Sequence, residues 1–412
     1  MFLDMLFYGI DTEVKSLRLI SQNAQQTHSI EISKQAIDSR FSSASTAFVK
    51  ELLKETITAQ VCATIAPSEL QMFKTVRIKD STTFDIHQSL AGVFEGFGKG
   101  GGRCSKAGVS IQYEFDIKTG KVFDIDLQSA VSKDSKDAIS KKDDLNEGDL
   151  IIRDLGYYSD DMIEHFIKSK AFFVSKLYHN VSVRLNEKDD KINFNALYRQ
   201  MKAIQASHLD LNVYIGKKKR PVRLIVELMP EQIYQQRVAK RNKENKAAGY
   251  TTSDEFKDRA RFNLYICNMS PLDCPWGTIS KLYRIRWQIE LMFKVWKSIM
   301  HIDLLPKMKK ERLLTTLYLK LLWIFINWHI ISNCRSYFYP IEKRLLSLTK
   351  CFQTLKEKSK EIRRCILEQK EELENSLKKI IEILKTKHWI EKRKSRNNFE
   401  DIIEVIFCKT AI

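Results

Sequence analysis

The stretch LYRIRWQIELMFKVWKSIM, residues 282–300, has the apolar spacing of an amphipathic helix beginning near Ile279. Wound at about 100° per residue from Tyr283, Arg286 falls near about 300°, Glu290 near about 340°, Lys294 near about 20° and Lys297 near about 320°. Leu282, Ile285, Ile289, Met292, Phe293, Trp296 and Met300 gather on another arc, and Trp287, Leu291 and Val295 widen it. Most of this helix is therefore expected to pack, with one narrow strip presenting a carboxylate among cations. Periodicity alone favours an ordinary amphipathic helix with i,i+4 ion pairs such as Glu290–Lys294.

Moving outward, the period changes. TVRIKDSTTF, from Thr75, alternates and predicts a strand with Val76, Ile78 and Asp80 on one face. Residues 109–130, VSIQYEFDIKTGKVFDIDLQSA, read as two strands around a turn at Lys118-Thr119-Gly120. DLIIRDLGYYS reads as a buried strand over 149–154 that ends at Asp154 and is broken by Gly156. DDMIEHFIKSK then predicts a helix and AFFVSKL a further strand. The expected core is thus mixed α/β, with an antiparallel hairpin at one side. Residues 178–261 carry short β-like runs between charged stretches such as GKKKRP and KRNKENK, and predict a β-rich basic insertion. RFNLYICNM, 261–269, predicts a return strand.

The flanks are expected to be helical. Residues 1–70 show helical spacing with Ser33 and Ser42 as caps, and read equally as a simple helical subdomain or as a unit contacting DNA. Residues 306–412 are basic and mostly helical, with heptad-like spacing late in the chain. Leu313–Ile331 is apolar enough to suggest a membrane span, but Lys320, Asn327 and His329 interrupt it, and a buried core helix is expected. The opening MFLDMLFYGIDTEVK, with Asp4 in its apolar stretch, does not read as a signal peptide.

With 412 residues and 43% apolar composition, the chain can bury more than one core. Its formal net charge of +18 favours a polyanionic partner such as nucleic acid. The eight cysteines form no C-x-x-C pair, so neither a structural zinc site nor a disulfide framework is expected. The glycine-rich run GFGKGGGRC, 96–104, lacks the Lys-Ser/Thr ending of a phosphate-binding loop and reads as flexible.

Tyr283, Arg286, Glu290 and Lys297 stand at the spacing Y-(2)-R-(3)-E-(6)-K, and this pattern resembles the signature of DDE transposases of bacterial insertion sequences of the insertion-sequence-four type. The resemblance runs over roughly residues 70–335 and takes in Asp80 on an early strand and Asp154 in the context Asp154-Leu155-Gly156-Tyr157. It implies a ribonuclease-H-like core over 71–177 and 262–305, with 178–261 inserted. Asp80, Asp154 and Glu290 are then the catalytic carboxylates and the ligands of Mg²⁺, for which Mn²⁺ can substitute. Tyr283, Arg286, Lys297 and Lys294 would hold phosphates near the cleaved end, and Phe262 would stack on an extruded base. The implied reaction is cut-and-paste transposition on double-stranded DNA, transposon ends and target alike. The implied agent is a homodimer in the bacterial cytoplasm, with no membrane, paired through the 306–412 region. A ribonuclease-H-like nuclease that cuts without joining, and a catalytically dead DNA-binding descendant, are the alternatives left open.

Overall fold

The computed structural model describes residues 2–10, 14–60, 70–98, 105–157, 159–177, 181–247, 249–342, 344–368 and 370–390. Most of the glycine-rich run lies outside these residues. Among them the strands form a nine-stranded mixed sheet of order β3-β2-β1-β4-β5-β9-β8-β7-β6. The strands are β1 (Val76–Asp85), β2 (Gly108–Asp116), β3 (Val122–Ser129), β4 (Leu150–Arg153), β5 (Phe172–Lys176), β6 (Val183–Arg184), β7 (His208–Ile215), β8 (Arg220–Leu228) and β9 (Phe262–Cys267). Strands β1, β4 and β5 run parallel, while β2/β3 and every pair from β5 to β6 are antiparallel.

The chain separates into two compact units, with the division falling inside β1. The first holds the described residues within 1–66, 80–132 and 287–400, and the second those within 67–79 and 133–286.

In the first unit, helices α1 (Phe2–Tyr8), α2 (Leu17–His28), α3 (Lys34–Arg40) and α4 (Ser43–Thr58) precede the strands. Ser33 caps α3 by accepting from the Ala36 amide, and Ser42 forms a capping box with Ser45 at the start of α4. Both caps stand where the sequence places them. The β2–β3 hairpin turns at Gly120, whose φ of +73° suits glycine, and a Cβ there would meet the Ser332 side chain at 3.0 Å. The Gly120 carbonyl accepts from Trp328 Nε1 at 2.9 Å.

The centre of this unit is aromatic. Tyr113 of β2 lies 4.9 Å, ring to ring, from Trp296 of α11 (Trp287–Ser298) and 5.8 Å from Phe325 of α12 (Lys310–Glu342). Trp296 and Tyr113 are wholly buried. Helix α12 is long and apolar enough to cross a membrane, yet 72% of its apolar window is buried inside the protein. It is a core helix, as its interrupting polar residues suggest. Helices α13 (Leu348–Glu357), α14 (Ser359–Glu368) and α15 (Lys370–Lys387) follow.

The second unit buries Ile151, Phe173, Ile215, Leu224 and Ile266 in one apolar cluster. Its helices are α5 (Asp134–Ser140), α6 (Asp160–Lys168), α7 (Phe194–Ala203), α8 (Glu231–Ala247), α9 (Asp254–Ala260) and α10 (Trp276–Arg284). Ser159 caps α6 through the Met162 amide. Within 178–261 the helices α7, α8 and α9 accompany β6, β7 and β8, and β8 pairs with β9 over six residues.

One expectation fails. The helix predicted to run unbroken from near Ile279 to 300 is two helices, α10 and α11, separated at Ile285 and Arg286. Neither glycine nor proline marks the break. The Ile285 and Arg286 amides bond to the Leu282 and Tyr283 carbonyls, three residues back, so the i→i−4 ladder tightens and stops. Tyr283 and Arg286 therefore do not belong to the helix that carries Glu290.

Candidate active site

Parallel pairing of β1 with β4 runs Val76↔Leu150, Arg77↔Ile151, Ile78↔Ile152 and Lys79↔Arg153. Asp80 and Asp154 are the residues that follow the last of these pairs. Strand alternation sends Arg77 and Lys79 to the face opposite Ile78. There both are buried with partners: Arg77 donates to the Asp144 carbonyl at 2.7 Å, and Lys79 pairs with the buried Asp137 carboxylate.

Asp154 is half-buried, just past the end of β4. Its Oδ1 accepts a 3.1 Å hydrogen bond from the Tyr283 hydroxyl, joining α10 to the strand end. Tyr283 is only 6% exposed. Burial, and then the Asp154 carboxylate, push its hydroxyl far above the usual tyrosine range, so it remains a donor. The Arg286 guanidinium carbon lies 5.7 Å from the Tyr283 ring centroid, and Lys176 Nζ lies 5.4 Å from it. Tyr283, expected as a phosphate contact, is thus engaged with a carboxylate.

Asp80 is half-buried on β1, and its Oδ1 accepts from the Ser81 amide at 2.8 Å. Glu290 is half-buried in the first turn of α11. Seven residues on, close to two helical turns, Lys297 donates to the Thr83 carbonyl at 2.9 Å, tying α11 to the strand that carries Asp80. Burial lowers the Lys297 pKa, with Asp303 opposing the shift. Lys294 is exposed.

Among the described residues no group of three or more His, Cys, Asp or Glu side chains is set to hold a metal ion. The donor chemistry is nevertheless that of a hard cation, since all three candidate ligands are carboxylates.

Phe262 is 3% exposed in the second unit, with the Phe194 ring at 6.0 Å and the Tyr198 ring at 6.4 Å, and it lines a cleft that reaches Asp154. Among the described residues Cys267, Cys274, Cys334, Cys351 and Cys365 are free and buried.

The sequence reading missed a cleft of about 430 Å³ in the second unit, lined by Asp154 together with Lys176, Arg237, Lys240, Arg241 and Arg259. The signal for it was the i, i+3, i+4 spacing of Arg237, Lys240 and Arg241, hidden in a run that looks uniformly charged.

Residues 71–326 match the family model described as a transposase DDE domain. The chain is 28% identical to the transposase for insertion sequence element IS231E of Bacillus thuringiensis subsp. finitimus, covering 96% of this chain and 86% of that one. It is also 28% identical to the IS231B transposase of Bacillus thuringiensis subsp. berliner, over 95% of this chain and 84% of the relative. Against the IS1151 transposase of Clostridium perfringens identity is 27%, over 85% and 77%. The chain belongs to the DDE-domain transposases of insertion sequences, enzymes that act on DNA.

Proposed function

We propose that this protein moves an insertion sequence by cut-and-paste transposition, with Asp80, Asp154 and Glu290 as the catalytic carboxylates. The observation that carries this reading is the β1–β4 register, whose last pair directly precedes the two aspartates in the chain. The order β3-β2-β1-β4-β5, a hairpin at one side and parallel strands at the other, supports a ribonuclease-H-like core.

The family depends on a divalent ion. Here Asp80, Asp154 and Glu290 would hold Mg²⁺, or Mn²⁺ in its place, which supplies activation of the attacking oxygen and stabilisation of the leaving one. The protein's own groups do the positioning. Tyr283 aims Asp154, and Lys297 holds the Glu290 helix to the Asp80 strand. Arg286, with its planar fork, and Lys294, as an exposed point charge, are the phosphate contacts.

The reaction is a series of in-line phosphoryl transfers. Water first cleaves the phosphodiester and frees a 3′-OH at the transposon end. That 3′-OH displaces the opposite strand's phosphodiester to give a hairpin, which water reopens. The 3′-OH then attacks target DNA. A homodimer would hold two ends together, with the helices after α12 supporting the pairing, in the cytoplasm at the nucleoid.

The test is incubation of the protein with a pre-cleaved end bearing a 3′-OH, a divalent ion and a plasmid target. Joined product is expected. Cleavage of uncut ends with no joining would make the protein a nuclease instead.

A further inference from the structure

Helix α8 is 17 residues long and none of them is buried. A helix with no fully buried residue and no apolar stripe gains little from the core. Arg237, Lys240, Arg241 and Glu244 sit at i, i+3, i+4 and i+7, on one face, and all four line the cleft that reaches Asp154. With Lys176 and Arg259 the lining holds five cations against two carboxylates, Asp154 and Glu244.

The cations divide into two kinds. Arg237 donates to the Ala260 and Phe262 carbonyls at 3.2 and 2.9 Å and to Asn263 Oδ1 at 2.6 Å, while Arg259 donates to the Val181 carbonyl at 2.9 Å. These two brace the cleft wall, and burial lowers the pKa of both. Lys240 is exposed. Arg241 lies over the Phe256 ring at 5.4 Å and reaches Glu244 only at 3.7 Å. The braced arginines shape the cleft and leave Lys240 and Arg241 to meet what enters it.

We propose that this cleft binds the sugar-phosphate backbone of a single DNA strand beside Asp154, with Lys240 and Arg241 as its phosphate contacts. The inference rests on the reading of Asp154 as catalytic: a strand cut there must lay its neighbouring phosphates along the groups flanking that carboxylate. A volume of about 430 Å³ is enough for a small-molecule-sized piece of one strand.

The test uses the full chain and a short single-stranded oligonucleotide of arbitrary sequence, since backbone contacts are sequence-independent. Affinity is measured across a salt series. Each phosphate contact on a single strand contributes about 0.7 to the slope of log K against log salt, so K240A/R241A is expected to lower it by about 1.4. K240R/R241K should keep the wild-type slope. K188A/K191A, which removes two exposed lysines of the same unit outside the cleft lining, should lower it by less than half as much. A wild-type slope in K240A/R241A, or an equal loss in K188A/K191A, overturns the proposal. Asp154→Asn separates the two readings. If it still cleaves, the catalytic assignment fails; if it does not and K240A/R241A binds like wild type, only the cleft proposal fails.

Discussion

The two units hold their candidate catalytic groups by different means. In the second, Asp154 is aimed by a hydroxyl, with Tyr283 donating at 3.1 Å beside a cleft rich in cations. In the first, Glu290 rides on a helix anchored by Phe293 and Trp296, whose rings pack on Tyr113 at 6.3 and 4.9 Å. One carboxylate is oriented by a polar contact that can be removed without opening a cavity. The other is oriented by packing that cannot. Loss of function and loss of stability should therefore separate in the second unit and coincide in the first.

The largest stability effect is expected from Trp296→Ala. Emptying a fully buried indole costs about 3–5 kcal/mol, and cleavage should fall together with the denaturation midpoint. An unchanged midpoint would break the contrast.

Tyr283→Phe should do the reverse. Without that donor the carboxylate loses its aim, and misplacement at a reacting centre can cost about a hundredfold, so the cleavage rate should drop roughly 10- to 100-fold in a kinetic assay. The melting temperature and DNA affinity should barely move. A variant that cuts at the wild-type rate would show that Asp154 needs no such support.

The smallest effect sharpens the picture of the first unit's core. Lys320 of α12 is 4% exposed, donates to the His301 carbonyl, and has its pKa lowered to about 8 by burial, with Asp303 opposing. A lysine depressed in the folded state binds fewer protons there than in the unfolded chain, whose lysines titrate near about 10.4. Stability should therefore rise as pH goes from about 8 towards about 10.4. Lys320→Met should flatten that rise, measured by denaturation at several pH values. Identical pH profiles would place the charge in contact with water.

Local patterns made much of the fold legible. The alternation of 75–84 gives β1, the Lys118-Thr119-Gly120 turn gives the hairpin, and Ser33 and Ser42 are the caps at two helix starts. The break between Arg284 and Trp287 was not legible, because it rests on two tightened hydrogen bonds and not on a breaker residue. Nor was the burial of Arg77 and Lys79, whose partners come from more than fifty residues away. At the site, the residue types and their spacing could be read from the chain. That Tyr283 meets Asp154 across 129 residues could not, since only tertiary structure brings α10 to the end of β4.

The most direct measurement replaces Asp80, Asp154 and Glu290 one at a time by cysteine and follows DNA cleavage in Mg²⁺ and in Mn²⁺. A thiolate is a poor ligand for Mg²⁺ and a better one for Mn²⁺. The account predicts that each variant loses cleavage in Mg²⁺, by roughly a thousandfold or more, and regains part of it in Mn²⁺. Wild-type cleavage in Mg²⁺ by any one of the three would contradict it.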